Sequence, residues 1–177
     1  TMAPRAGVGV VALCNTGGLS GQGAPTAVGT ALLRQLIGLP EVQLRDDVPP
    51  RPDVWAELCG WYAPAPGPVT NLFTRTFMGA GAEVVVDGRR LVLKALTPIP
   101  ALRKGVPLHP DDPNDPYVFR VDLSRVGVGS IRLVFSRTPG QGVTAVHLDV
   151  MPISMFRQPA ETNPRLWATA GVAATRS

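Results

Sequence analysis

The stretch AEVVVDGRRLVLKAL, residues 82–96, constrains the fold more than any other part of the chain. Two runs of β-forming residues flank Asp87-Gly88, a dipeptide favoured in a type I′ hairpin turn because both central residues there need positive φ. Val84 and Val86 before the turn, and Leu91 and Leu93 after it, recur at a period of two, so one face of the hairpin is expected to be buried. More strands follow at Tyr117 to Leu123, Ser130 to Ser136 and Val143 to Met151, the last two joined by the turn sequence RTPGQG. Leu58 to Ala63, LCGWYA, supplies a short aromatic strand ahead of the hairpin, and PAPGPV behind it cannot sit inside a sheet. Residues 57–157 therefore read as an antiparallel β domain, closed as a barrel or sandwich to remove its edges. Val84, Val86, Leu91, Leu93, Phe119 and Val146 are its expected interior. They either fill a core or line a site for a small apolar ligand, and the second option needs about eight strands where the sequence announces about six.

The N-terminal forty residues have a different character. Val8, Val10, Val11 and Leu13 form a short apolar run closed by Asn15-Thr16-Gly17-Gly18, the pattern of a buried strand ending in a turn. Gly7-Val8-Gly9 is not a nucleotide-binding turn on this reading, since such a turn follows a strand and opens a helix; the two glycines are expected to permit close helix-on-sheet packing. APTAVGTALLRQLIGLP then shows helical spacing, with Pro25 suited to the first turn and Gly38 and Pro40 to the stop. One strand and one helix cannot enclose a core. Residues 41–56 carry three prolines and an acidic bias and are expected to be a linker, and residues 158–177 a tail with at most a docked turn.

Charge excludes more than it assigns. The net charge of +4 is dispersed: residues 1–40 carry +2, residues 41–60 sum to −3 and residues 61–177 to +5. Without a basic stripe or interleaved aromatics, a nucleic-acid partner is not expected. No apolar run approaches the roughly 18 residues of a membrane helix, no signal peptide is recognised, and no cofactor motif is found. Cys14 and Cys59 read as two buried free thiols, or as a single disulfide if the compartment is oxidising.

Catalytic motifs fail one by one. Gly18-Leu19-Ser20-Gly21-Gln22 breaks the nucleophile-elbow pattern at its last position, and neither Lys94 nor Lys104 has a serine three residues before it. HPDDPND, residues 109–115, offers oxygen donors, but its prolines prevent a regular calcium loop, and an exposed Asp-Pro turn cluster is the expectation. His147 has no second ligand at i±2. Catalytic and metal residues are thus expected to be none. Between the hairpin and Tyr117 lies TPIPALRKGVPLHPDDPNDP, with six prolines in residues 97–116. Loops of this length are binding loops or poorly ordered excursions, and Arg103, Lys104 and His109 are the candidates there for ligand or partner contact.

The order of these parts resembles a known arrangement. Residues 1–40, with ALCNTGG followed by a long helix, resemble the end of the catalytic domain in serine β-lactamase and penicillin-binding-protein-like hydrolases. LCGWY, YVFRVDL and VTAVHLDVMP resemble the lipocalin-like β domain that follows it in many members. The resemblance implies a mainly β chain: a lipocalin-like barrel or sandwich preceded by a strand-turn-helix remnant of an α/β hydrolase domain. It also implies an accessory region of an enzyme that hydrolyses an ester, amide or lactam through a serine ester. The nucleophile and its partners would lie upstream of Thr1, and Arg5 and Gly7 to Leu13 would be sheet scaffold. A catalytic domain in cis or trans, or self-association through residues 1–40, would then cover the exposed helix, in the cytoplasm or envelope of a bacterium. The alternative is a stand-alone module binding a small apolar ligand or docking a partner.

Overall fold

The computed structural model describes residues 1–13, 19–40, 42–64, 81–95, 97, 99–126, 129–149 and 154–163. Cys14 and the expected Asn15–Gly18 turn, most of PAPGPV, the end of the strand expected to reach Met151 and the tail beyond residue 163 lie outside them.

Among the described residues nine strands form one antiparallel sheet. In chain order they are β3 (Gly60–Pro64), β4 (Ala82–Asp87), β5 (Arg90–Ala95), β6 (Val106–Pro107), β7 (His109–Pro110), β8 (Val118–Asp122), β9 (Ser130–Thr138), β10 (Gly142–Leu148) and β11 (Ser154–Gln158). Each pairs with the next in sequence, except that β6 pairs only with β5, β7 pairs only with β8, and β11 returns to β3. Leu108 alone separates β6 from β7. The two edges of the sheet are therefore two halves of one segment, and counting that segment once gives an eight-stranded up-and-down barrel, closed to within a residue. Leu108 bridges the gap itself, donating its N–H to Leu91 O at 2.9 Å, while Asp111 N–H reaches Val118 O at 3.0 Å.

Alternation turns one face of each long strand into the core. Val84, Leu91, Phe119 and Val146 are buried, joined by Val121, Ile131, Leu133, Phe135, Val143 and Met155, with Leu93 packed against them. Val86 differs. It is 47% exposed, because β3 begins at Gly60 opposite Val84 and leaves the end of β4 without a strand partner on that side. Tyr62, Phe135 and Phe119 occupy the middle of the barrel as two edge-to-face pairs with centroids 5.7 and 5.8 Å apart. The Tyr62 hydroxyl donates to Leu58 O at 2.8 Å, and burial pushes its pKa up to about 12. Leu58 belongs to the short helix α2 (Trp55–Leu58), which touches both β4 and β10 and so closes one end of the barrel.

The turn of the β4–β5 hairpin is one residue later than expected. Asp87 pairs with Arg90, so Gly88-Arg89 are the central residues, and only Gly88 has positive φ, at 61°. A glycine alone at the first central position is the requirement of a type II′ turn, which replaces the expected type I′. The residues expected to be a binding loop or a poorly ordered excursion contain a second short helix, Pro100–Lys104, followed by β6 and β7. Gly105, which ends that helix with φ 111°, has no room for a side chain: a Cβ there would stand 2.5 Å from Val92 Cγ1.

At the N-terminus the expected strand from Val8 to Leu13 shrinks to β2 (Val8–Gly9), paired with β1 (Met2–Ala3) in a hairpin whose ends are tied by Thr1 and Val10. Beyond Val10 no strand lies alongside to extend it among the described residues, and the α/β remnant is not seen as a sheet. Gly7 serves this hairpin's turn, with φ 65° and open space around it. The close helix contact is made by Gly29 of the helix α1 (Leu19–Leu36), where a Cβ would lie 3.6 Å from Ala12 Cβ. Helix α1 starts earlier than expected, which puts Pro25 inside it rather than in its first turn. Within the expected linker, residues 41–56, Val48 and Val54 are buried.

Candidate functional site

Two clefts flank the segment that closes the barrel, and Pro107 and His109 line both. The larger, about 410 Å³, lies between the Pro100–Lys104 helix, henceforth α3, the β6–β7 segment and the turn after β8. Leu102, Val106, Leu123 and Val126 give it apolar walls, with Leu44 from the linker, and Lys104, His109, Asp122 and Arg125 give it polar groups. The volume falls in the range of small-ligand sites. The second cleft, about 330 Å³, lies under residues 45–50 and reaches the core residues Leu91, Leu108 and Phe119, with Trp55, Arg89 and Arg90 at its rim.

Of the three loop residues singled out by the sequence, Lys104 and His109 line the larger cleft, and Arg103 stands outside its lining. Local sequence explains the placement. Pro100 at the start of α3 and Gly105 at its end fix a single turn of helix that carries Lys104 at its last position. His109 opposes Arg120 across the β7–β8 ladder. The turn after β8 is organised by Asp122, whose carboxylate accepts the Ser124 N–H at 2.8 Å. Hydrogen bonding from the Ser124 side chain and then its N–H, helped by the charges of Arg125 and His109, holds the Asp122 carboxyl below its ordinary pKa. Asp122 and Arg125 were not foreseen, because the cleft exists only where two chain segments about twenty residues apart meet.

Of the HPDDPND carboxylates, Asp111 departs from the exposed turn expected of the cluster. Asp111 is 8% exposed and accepts both Arg120 Nε and Nη2 at 2.8 Å. Arg132 Nε stands 3.0 Å away as an ion pair without hydrogen-bond alignment, and its Nη2 lies 3.7 Å from Asp112. This cluster ties β7, β8 and β9 together on the outer face of the barrel. Asp112 and Asp115 accept the N–H groups of Asn114 and Tyr117 at 2.9 Å, the Asx turns that their Asp-Pro context favours. Among the described residues no group of three or more His, Cys, Asp or Glu is placed to hold a metal.

His147 lies on the outer face, opposite Val146, as alternation required. Its Nε2 is 2.7 Å from Ser136 Oγ and its Nδ1 2.7 Å from Ser154 Oγ, on the two neighbouring strands. Because neutral imidazole has one donor and one acceptor, one serine donates to the ring and the other accepts from it. Three strands are thereby joined by a polar ladder with no carboxylate in it. Other carboxylates have separate partners: Glu83 accepts from Asn163 Nδ2, Asp87 pairs with Lys94 and Asp149 accepts Arg132 N–H. Cys59 is a free thiol whose pKa is raised by burial.

A third feature lies away from the barrel. Val28, Leu32 and Leu36, one turn apart along α1, are exposed, and with Val11 and Leu13 their exposures run from 45% to 90%. Gly29 and Leu33 form the buried side of the same helix. No described helix is long and apolar enough to cross a membrane. No protein-family model matches the chain, and no curated protein or solved structure is found to be similar to it.

Proposed function

We propose that the chain is the accessory region of a β-lactamase-like serine hydrolase: a lipocalin-like barrel carried beside a catalytic domain, with the N-terminal hairpin and α1 docked against that domain. The apolar stripe Val28, Leu32, Leu36 carries the reading. Side chains at this spacing share one helix face, and an exposed contiguous apolar face marks an interaction surface. The sequence of the same segment, ALCNTGG and the helix after it, is what resembles the end of the hydrolase catalytic domain. In this reading the chemistry belongs to the partner domain, in cis or in trans. A serine there attacks the carbonyl and breaks its C–O or C–N bond, releasing the alcohol or amine or opening the lactam ring, and water then cleaves the acyl-serine ester to a carboxylic acid and free serine. The outer-face pair of Ser136 and His147 takes no part, since it has neither a cleft nor oxyanion donors described around it.

The test is the size of the native polypeptide in its own cells, detected with an antibody raised against the barrel. A band several hundred residues longer, labelled by a fluorophosphonate at a serine outside this chain, or a shorter chain co-purifying with such a labelled protein, is the expected result. A band near 18.7 kDa that behaves as a monomer with no labelled companion would overturn the proposal.

A further inference from the structure

The larger cleft has a lining too specific in character for a packing defect. Its lining combines the aliphatic side chains of Leu102, Val106, Leu123 and Val126 with two exposed cations, Lys104 and Arg125. Neither cation forms a close ion pair among the described residues, although the charge of Arg125 acts on the Asp122 carboxylate. The one carboxylate in the lining, Asp122, already accepts the Ser124 N–H at 2.8 Å. The balance of charge in the lining is positive, and the same lining offers apolar surface that a ligand could take out of water.

We infer that this cleft binds a small amphiphilic anion, an aliphatic chain of several carbons ending in a single negatively charged head group. The chain lies against Leu102, Val106, Leu123 and Val126, and the head group sits between Lys104 and Arg125. Each part is needed. A bare inorganic anion would gain only two solvent-exposed charge contacts, which are individually small, and a neutral hydrocarbon would leave the cations unmatched. Two of the cleft's wall residues, Val106 and Leu123, also pack against the barrel core, and no described residue of α1 lines the cleft. The site therefore stands whether or not the chain serves a hydrolase.

The experiment is a titration of the full 177-residue chain with decanoate, followed by amide shifts in two-dimensional NMR, with decanol as the neutral counterpart. Decanoate is expected to shift Leu102, Val106, Leu123 and Val126 saturably, and decanol to bind about tenfold more weakly. The Lys104→Ala, Arg125→Ala double variant alters only exposed side chains. It should lose about tenfold in decanoate affinity with decanol unchanged. Asp122→Asn keeps an oxygen for the Ser124 N–H while removing the competing charge, and should tighten decanoate about twofold to fivefold. Equal affinity for decanoate and decanol would overturn the inference, as would shifts gathered at Trp55, Arg89 and Arg90 in the other cleft. An unchanged affinity in the double variant, or no saturable shift, would do the same.

Discussion

The β4–β5 hairpin and the β6–β7 segment are neighbours in the same sheet, yet they are held in opposite ways. The hairpin has six consecutive pairs from Ala82↔Ala95 to Asp87↔Arg90, a two-residue turn and buried residues on both strands. The closing segment has two pairs with β5, two with β8 and prolines at both Pro107 and Pro110. Proline cannot donate to a ladder, so backbone bonding alone is sparse there. Side chains make up the difference: Leu108 enters the core, and Asp111 holds Arg120 and Arg132 across the outer face. A barrel can thus be built mostly from local pairing and closed by a short segment whose strength is tertiary. Both clefts open along that segment, where the sheet is thinnest.

The sharpest way to break this contrast is to remove the tertiary tie. Asp111→Ala leaves the half-buried Arg120 guanidinium without its bidentate partner, and losing one member of a buried pair costs about 3–5 kcal/mol. Urea unfolding should show a loss near the lower end, since Arg132 remains partly exposed. Hydrogen exchange should rise first at the Leu108 and Asp111 amides while those of Val84 and Leu93 keep their protection. Equal acceleration across both regions would show that the seam is no weaker than the hairpin.

A smaller effect is expected on the strongly paired side, and it depends on pH. Tyr62 faces the core from β3, opposite Ala82 of β4. Its pKa is about 12 in the folded chain against an ordinary value of 10. Since the folded value is the higher one, the stabilisation is fully present below pH 10 and is lost as pH rises from there through 12. Two units correspond to about 2.5–3 kcal/mol. Absorbance of the phenolate should therefore appear together with loss of near-ultraviolet dichroism, and Tyr62→Phe should move that transition. A Tyr62 that ionises near pH 10 with the fold intact would mean that this wall opens as readily as the seam.

The same contrast explains what the sequence could disclose. Alternation and the Asp87-Gly88 pair are local signals, so the hairpin, β8, β9, β10 and most of the interior could be read from them. Strands β6 and β7 are two residues each among prolines and have no period of their own; they are strands because β5 and β8 present edges to them. Strand β11 went unseen for a similar reason. In Ser154–Gln158 only Met155 is buried and Phe156 is exposed, so its identity comes from pairing with β10 and β3. Loop length pointed to Lys104 and His109. Nothing local could connect them to Asp122 and Arg125, or His147 to Ser136 and Ser154, because those contacts form only when the sheet curls.

The smallest expected effect tests the local half of the contrast. Gly88 has φ 61° and open space around the position of a Cβ, so replacement by alanine meets no clash, only the backbone cost of a left-handed residue. That cost is about 1–2 kcal/mol, offset in part by the lower entropy of the unfolded chain. Gly88→Ala should therefore destabilise by about 1 kcal/mol and lower Tm by about 2–4 °C in a chain of this size. Exchange should increase at Val86 and Leu91, next to the turn, and not at Leu108. If instead Leu108 were to lose protection as well, the hairpin would be holding the seam through the Leu108-to-Leu91 hydrogen bond, and the two regions would have to be treated as one cooperative unit.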